Sequence, residues 1–437
     1  MNRRIKNLRH LGALLVVLAL VAAACGDDDA TTTTAGAVAT TTTAATTTVA
    51  ETTTTEAITA APFTATFGYV LPSTGALGSI GPALINPLEM ALEEITAAGD
   101  TLTLLPSDSG TDAQIATNAV EGLLNADVRA IIGPAATGVA LGVIDRITGA
   151  EVPMCSPSNT GSIFTTYDDG GYYFRTAPPD NLQGKVHADL ITEDGATNVA
   201  IAYRSDEYGR GLAESIRDNL IANGVNVSEF IEFDKDGTSF DAEAAQIAAA
   251  GVDAISFIPF AEGGPFLQSL IEAGLGPDAV TLYTADGFVD NVKPEAVDPA
   301  NPAVFAGIRG TYPSLAPPSG EPTFPERFEA FAPGTPTIFS AHSYDCLITF
   351  ALATVAAGST DSVAIAAEVN GVTRDGTKCN RYADCRDLLL AGEDIDYDGA
   401  SGVLDFVEVG EPGAGTYDLF TYDDAGVYVV DGQVDVP

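Results

Sequence analysis

Positive charge and metal-binding side chains are scarce in this sequence. Its 437 residues include 19 Lys and Arg against 60 Asp and Glu, a formal net charge of −41 at pH 7. A surface this acidic repels phosphate backbones, which excludes nucleic acid as a partner. Three histidines (His10, His187 and His342) and five cysteines without a CxxC pair argue against a zinc site.

Common catalytic motifs are missing as well. The chain has no GxSxG, no HExxH and no lysine-bearing P-loop. His187 and His342 stand outside any recognisable constellation, so surface or satisfied core positions are the simpler interpretation of both. Tyr69, Tyr344 and Asp345 lie on apolar segments, where core packing is the first expectation. The sequence therefore predicts binding without chemistry: no enzyme, no cofactor and no metal.

The N-terminus has the pattern of an export signal. Four basic residues precede an apolar stretch from Leu11 to Ala24 that is short for a membrane span. The stretch ends in three alanines followed by Cys25, and this AAAC (22–25) resembles a bacterial lipoprotein cleavage box. It predicts a signal peptide over 1–24 and a lipid on Cys25. An ordinary secretory signal with an incidental cysteine is the alternative. Residues 25–62 are mostly Thr and Ala without apolar periodicity, which predicts a flexible tether.

Two α/β units follow the tether. From Phe63, short apolar runs such as TATFGYVLP and VRAIIG alternate with amphipathic segments, and the rhythm restarts after FRTAPPD with NVAIAYRSD and VDAISFIPF. Near-continuous apolar strands that alternate with helices predict parallel sheets covered on both faces. FRTAPPD is one Pro-rich stretch, and PSLAPPSGEPTFP is a second. The second stretch and a long predicted helix that begins in PTIFSAHSYD precede the C-terminal part.

The cysteines predict two disulfides in an oxidising compartment. Lipidation of Cys25 leaves an even number. Cys379 and Cys385 enclose a short loop and are the natural local pair, which leaves Cys155 with Cys346.

Three loops at predicted strand ends carry candidate ligand contacts. GPAATG (133–138) and SPSNT (156–160) offer small and hydroxyl-bearing residues, and TADG (284–287) offers an acid. Ligands of parallel α/β sheets bind beyond the carboxyl ends of the strands. A carboxylate held by the first two loops and an ammonium facing Asp286 would form a zwitterion site. The alternative is that these residues serve only turn conformation.

The order of the motifs resembles the extracytoplasmic solute-binding proteins of the branched-chain amino acid ABC-transporter family. It runs from LPSTGALGSIG through IIGPAATG, VPMCSPSNT, FRTAPPD and SDEYGRGL to the SYD helix. This resemblance implies the type I periplasmic binding fold, two doubly wound lobes joined by three crossovers. The implied lobes are 63–176 plus 313–396 and 177–312 plus 397–437.

The resemblance also implies roles for six residues. Thr137, Ser158 (by its backbone) and Thr160 match first-lobe contacts to the ligand. Tyr208 matches a tyrosine offered from the second lobe, Asp286 matches the acid that faces the ammonium, and Phe260 an aromatic wall. Ile80 departs from the family, because an aromatic residue is common there in amino-acid binders.

DIDYDGASGVLD, Asp394 to Asp405, nearly spells an EF-hand calcium loop. Ser401 stands where an apolar residue is usual, and the β-like VLDFVEV follows where a helix is required. The resemblance instead implies that this stretch is the last crossover, feeding strands of the second lobe. A calcium site remains the alternative.

The implied protein is an extracytoplasmic, membrane-anchored monomer that captures a small molecule and delivers it to the permease subunits of an ABC transporter. Leucine, isoleucine and valine are the family default, with amides and aromatic acids as alternatives. A ligand-binding sensor of a signalling system would share the same lobes.

Overall fold

The computed structural model describes residues 62–314 and 322–437. The predicted signal peptide 1–24, the lipidation site Cys25 and all but the last residue of the tether 25–62 lie outside the described residues.

The first part of the chain alternates strands and helices as far as the first crossover. Its elements are β1 Thr64–Leu71, α1 Gly81–Ala97, β2 Thr101–Asp108, α2 Ala113–Asn125, β3 Ile131–Ile132, α3 Thr137–Leu141, α4 Ile144–Thr148, β4 Met154–Ser156 and β5 Tyr173–Arg175. The five strands are parallel in the order β2-β1-β3-β4-β5. The order reverses between β1 and β3, where an open α/β sheet leaves a crevice for a ligand.

The same alternation continues in the middle of the chain. These elements are α5 Asp180–Glu193, β6 Asn198–Arg204, α6 Glu207–Ala222, β7 Asn226–Phe233, α7 Asp241–Ala250, β8 Ala254–Ile258, α8 Gly263–Glu272, β9 Thr281–Ala285, α9 Pro294–Val297 and β10 Arg309–Pro313. Every residue of β8 is buried, as expected for a strand covered by helices on both faces.

The C-terminal part returns to the first sheet and then completes the second. Its elements are α10 Phe324–Phe331, α11 Ser340–Ala357, α12 Ser362–Glu368, β11 Thr377–Cys379, α13 Tyr382–Leu390, β12 Ile395–Tyr397, β13 Gly415–Tyr422 and β14 Tyr428–Val436. The second sheet has the order β14-β13-β10-β9-β8-β6-β7. Strands β13 and β14 are antiparallel and the other five are parallel, so this sheet is mixed.

Helix α11 anchors the returning chain to the first sheet. It packs against α1, where the Ser343 hydroxyl donates to the carbonyl of Leu84 at 2.5 Å and the Tyr344 hydroxyl donates to Glu94 at 2.6 Å. A disulfide joins Cys346 of α11 to Cys155 of β4, and a second joins Cys379 to Cys385. The fold is therefore two doubly wound α/β lobes.

Three crossovers connect the lobes. The first is the short stretch 176–179 between β5 and α5, the second follows β10, and the third runs from β12 to β13. Within the part of the chain that is described, no single helix is long and apolar enough to cross a membrane; Ser340–Ala357 and Ser362–Glu368 reach that length only as a pair bent by 105°.

Two local predictions were wrong. The sequence predicts one helix over TGVALGVIDRITG (137–149). The segment forms two short helices, because Gly142, a weak helix former, packs its backbone against Ala113 at the break. VLDFVEV forms a turn instead of a strand. It folds back through a hydrogen bond from Val407 N to the carbonyl of Glu411, whose side chain pairs with the buried Arg175.

Candidate functional site

A cavity lies between the two lobes, at the carboxyl ends of their strands. Its walls include five of the six residues that the resemblance implied, Thr137, Ser158, Tyr208, Phe260 and Asp286. The rest of the lining is apolar or backbone: Leu77, Ile80, Ala135, Ala136, Gly287 and Phe339. The sixth implied residue, Thr160, is completely buried and is not part of this lining.

Two loops of the first lobe supply the hydroxyls. Thr137 begins α3, and its Oγ1 accepts a hydrogen bond from Gly161 N at 3.3 Å. A Cβ at position 161 would lie 2.5 Å from the Thr137 methyl group, so this close approach requires glycine. The Ser158 hydroxyl donates to the carbonyl of Ala135 at 3.1 Å. Thr137 and Ser158 therefore present fixed polar groups on one wall.

An aromatic stack forms the wall of the second lobe. The rings of Tyr208 and Phe260 lie 5.1 Å apart and nearly parallel, and the Arg204 guanidinium covers the Phe260 ring at 3.6 Å. Arg204 is ion-paired with Asp206 at 2.8 Å and with Glu262 at 2.6 Å. Because its charge is matched by these two carboxylates, Arg204 supports the wall and does not offer a free cation to a ligand.

Asp286 is the acid of the cavity. Its Oδ1 accepts hydrogen bonds from Gln183 Nε2 at 2.8 Å and from the Tyr208 hydroxyl at 3.2 Å. Among the described residues, Oδ2 has no hydrogen-bond donor. Burial raises the pKa of Asp286 to about 6, and the hydrogen bonds from Gln183, from Tyr208 and from its own backbone amide oppose that rise. A carboxylate so placed is suited to a cationic group of a ligand.

The two lobes contact each other beside the cavity. Asn291 of the second lobe donates from Nδ2 to the carbonyl of Ala76 in the first lobe at 2.8 Å. The Ser79 hydroxyl donates back to the carbonyl of Asn291 at 3.4 Å. The structure therefore represents a closed arrangement of the two lobes, which together form a clamp around the cavity.

Sequence reasoning missed Phe339 and Asn291. Phe339 precedes α11 with φ 56°, a left-handed conformation that is rare for an aromatic residue and concentrates at functional sites. Neither residue belongs to a strand-end loop rich in Gly, Ser or Thr. No local signal marks Asn291, because its partner Ala76 lies more than 200 residues away.

The EF-hand-like stretch is a crossover held by side chains. Lys378 Nζ pairs with Asp396 at 2.8 Å and with Asp398 at 2.9 Å. The buried Asp345 carboxylate accepts four hydrogen bonds, from the Tyr397 hydroxyl, the Ala400 and Ser401 amides and the Ser401 hydroxyl, between 2.6 and 2.8 Å. Within residues 62–314 and 322–437, no group of acidic, His or Cys side chains could hold a metal ion.

Gly399 is explained by the same contact. A Cβ at this position would lie 2.4 Å from Asp345 Oδ2, so only glycine lets the turn approach the carboxylate. The glycine that suggested a calcium loop therefore serves the attachment of this crossover to α11.

Both histidines of the described chain are buried. The His187 ring nitrogens contact the hydroxyls of Thr311 at 3.1 Å and Ser256 at 3.0 Å, which makes it a satisfied core residue. His342 lies in α11, and its Nδ1 has no partner among the described residues. Burial lowers the pKa of each histidine to about 3, so both are neutral at pH 7.

Comparison with known proteins identifies the family. A family model described as periplasmic binding protein matches residues 64–384, and the chain belongs to this family. A Leu/Ile/Val-binding protein homologue from Brucella melitensis is 26% identical over 223 residues, which cover 50% of this chain and 60% of that relative. The alignment thus spans less than two thirds of that relative's length.

Two further proteins match over more of the chain. A substrate-binding protein of a chemotactic signal transduction system, BasB from Halobacterium salinarum, is 22% identical over 400 residues, 83% of this chain and 88% of its own. The structure of the branched-chain amino acid transporter substrate-binding protein LivJ from Streptococcus pneumoniae, solved with isoleucine, superposes with a TM-score of 0.69. It is 20% identical and covers 85% of this chain and 99% of its own. At this identity the likeness supports the fold.

Proposed function

We propose that this protein captures a small amino acid with an aliphatic side chain and delivers it to the membrane subunits of an ABC transporter. The observation that carries the proposal is the Asp286 carboxylate. Its Oδ2 lacks a donor from the described protein, and it lines the same cavity as the hydroxyl-bearing Thr137 and Ser158. An ammonium beside Asp286 and a carboxylate beside the hydroxyls would satisfy both walls.

The cavity also restricts the rest of the ligand. Leu77, Ile80 and Phe339 offer an apolar surface for an aliphatic side chain, and Ile80 leaves more room than an aromatic residue would. The only guanidinium beside the lining in the described chain, that of Arg204, is already paired, which disfavours an acidic ligand without an amine.

Closure of the lobes is the mechanism that this geometry supports. The first-lobe hydroxyls hold the ligand in the open form, and the second lobe then brings Tyr208 and Asp286 over it. Asn291 and Ala76 form their hydrogen bond only when the lobes meet. Because Tyr208 and Asp286 reach the ligand only when the lobes close, the ligand binds the closed form more tightly and shifts the population toward it. A permease would recognise this closed form.

The proposal also includes attachment of the protein to the cell membrane through a lipid. Cleavage before Cys25 and its lipidation would anchor the protein to the outer side of the cell membrane, with residues 25–62 as a tether and the two lobes, 63–176 plus 313–396 and 177–312 plus 397–437, beyond it. Mass spectrometry of the membrane fraction tests this step, because a lipid on Cys25 adds a defined mass to the mature N-terminus and an ordinary secretory signal does not.

A thermal-shift panel on residues 62–437 tests the ligand. A ligand that binds only the folded state raises the melting temperature, and the method does not need tryptophan, which this chain lacks. We expect a shift with aliphatic L-amino acids and none with their deaminated analogues. A shift with simple amides or aromatic acids, and none with amino acids, would retain the clamp and reject this ligand class.

A signalling role is the second candidate. The relative from Halobacterium salinarum, which matches along 83% of this chain, belongs to a chemotactic signal transduction system. Pull-down of the ligand-loaded protein from solubilised membranes distinguishes the roles: a permease–ATPase complex supports transport, and a transducer supports sensing.

A further inference from the structure

Asp180 is a buried carboxylic acid that the proposed binding cycle does not yet use. It begins α5, directly after the first crossover, and is 0% exposed. Among the described residues, neither carboxylate oxygen has a hydrogen-bond partner. Because an ionised carboxylate that is buried without donors is costly, this group requires an explanation.

Asp180 lies near two residues of the ligand cavity, Asp286 and Tyr208. Its backbone amide donates to the carbonyl of Thr160 at 2.7 Å, and Thr160 is the one implied ligand contact that the cavity lining does not include. The Thr160 hydroxyl is near enough to lower the pKa of Asp180 without reaching hydrogen-bonding geometry. One turn along α5, Gln183 bonds Asp286. Helix α5 thus connects the two acids.

The charges around Asp180 do not stabilise its ionised form. Its neighbours from the other elements are Asp286 after β9, Asp206 before α6, Tyr208 in α6, Tyr417 in β13 and Arg175 in β5. Arg175 is the only cationic side chain among these neighbours, and its guanidinium is already paired with Glu411 and with two backbone carbonyls. The Tyr417 hydroxyl donates to the carbonyl of Pro179 at 3.2 Å. Burial, then the charge of Asp286, raise the pKa of Asp180 well above its usual range.

We propose that Asp180 carries a proton in the empty site, near an ionised Asp286, and that a ligand ammonium docking beside Asp286 expels this proton. The pair then changes from one negative charge to two, and the ammonium supplies the compensating positive charge. Ligand binding is an exchange of a proton for an organic cation. Asp180 acts as a positioning residue and not as a ligand contact. This inference rests on the proposed amino-acid function.

Calorimetry of ligand binding at pH 7.5 tests the exchange. The observed heat is measured in two buffers of different ionisation enthalpy, and its dependence on the buffer gives the number of protons released. With an amino acid that the thermal-shift panel identifies, we expect close to one proton for the wild type. We expect close to none for Asp180→Asn, an isosteric change that fixes the neutral form.

The matched control is Asp189→Asn, on the outer side of the same helix, where Asp189 pairs with Lys185 at 2.6 Å. Its proton count should equal that of the wild type. Infrared difference spectra supply a second readout: binding should remove a protonated carboxyl band from the wild type. That readout decides the matter if Asp180→Asn does not fold by circular dichroism.

The outcomes separate the two proposals. An amino acid that binds with a heat independent of the buffer, or with the carboxyl band unchanged, overturns the exchange and retains the function. Proton release that persists in Asp180→Asn assigns the proton to another group and also overturns it. If no amino acid binds, the proposed function fails and the exchange fails with it.

Discussion

At the scale of single residues, the Tyr208 hydroxyl connects the aromatic stack of the second lobe to Asp286. It donates to Asp286 Oδ1 at 3.2 Å and accepts from Gly287 N at 3.2 Å. A carboxylate held by side-chain donors keeps its charge and its direction, although it is buried. In the proposed function, the phenol would contribute to ligand binding through Asp286 as well as through its stacked ring.

Tyr208→Phe should weaken binding of an amine ligand by about 5- to 10-fold, the effect of losing a hydrogen bond worth about 1 kcal/mol. The pKa of Asp286 should also rise, because that bond opposes the effect of burial. Calorimetric titrations at several pH values measure both changes. Tyr203→Phe is the control, since its hydroxyl has no hydrogen-bond partner among the described residues. Unchanged affinity in Tyr208→Phe would contradict this assignment.

Asp286 should also make the stability of the empty protein depend on pH. Its pKa rises from an ordinary 3.8 to about 6 on folding, so the folded state binds more protons between those values. Its contribution is complete below about pH 3.8 and is lost as the pH rises through 6, by up to about 3 kcal/mol. Urea unfolding of the wild type and Asp286→Asn between pH 4 and 7 measures the difference. Parallel curves for the two proteins would refute the shift.

At the scale of secondary-structure elements, one helix holds the last crossover. Asp345 of α11 accepts four hydrogen bonds from residues 397–401. These hydrogen bonds hold the stretch whose sequence resembles a calcium loop. The crossover thus depends on a side chain more than 50 residues away.

Asp345→Ala should lower the free energy of unfolding by about 3 kcal/mol, because it leaves several buried donors without their charged acceptor. Chemical denaturation measures it. Asp398→Ala is the control and should cost less than about 1 kcal/mol, because it removes only a partly exposed ion pair with Lys378. Calcium or a chelator should leave the melting temperature unchanged; a rise with calcium would restore the metal site.

Most elements of this fold could be predicted from the sequence, and the reason is physical. Strand β8 is buried and apolar along its length, β1 is buried over most of its length, and α2 begins after the capping residue Asp112. The break between α3 and α4 was missed because helical periodicity continues across it. The turn at 403–409 was missed because its course is set by the distant pair Glu411–Arg175.

The site was predictable to the extent that it lies on strand-end loops. Thr137 and Ser158 lie a few residues after β3 and β4 of the first sheet, whose edge brings them together, and Asp286 follows β9 of the second sheet. Phe339, Asn291 and the isolation of Asp180 depend on how segments far apart in the chain meet. Periodicity and turn composition carry no information about such contacts.

At the scale of the whole molecule, Asn291 joins the two lobes. Its bonds to Ala76 and Ser79 join the lobes at a point outside the lining of the ligand cavity. Interactions that exist only in the closed state set how long a ligand is retained.

Asn291→Ala should therefore raise the dissociation constant by about 5- to 10-fold through faster release, with association little changed. Surface plasmon resonance measures both rates, and small-angle scattering should show a larger open fraction. Asn223→Ala is the control, because Asn223 bonds Asp189 and Thr192 within one lobe. Faster association with unchanged release would contradict the role.

The disulfide between Cys155 and Cys346 has a consequence for the protein's resistance to proteases. It closes a covalent ring across a sequence separation of 191 residues, and the strands β6 to β10 of the second lobe lie inside that ring. A protease that cuts one peptide bond anywhere in the ring opens a circle and releases no fragment. After limited proteolysis, cuts between residues 155 and 346 should appear on reducing gels and be invisible on non-reducing gels. A fragment would be released only after a second cut within the ring. The disulfide therefore keeps a singly cut chain in one piece, which an open chain cannot do.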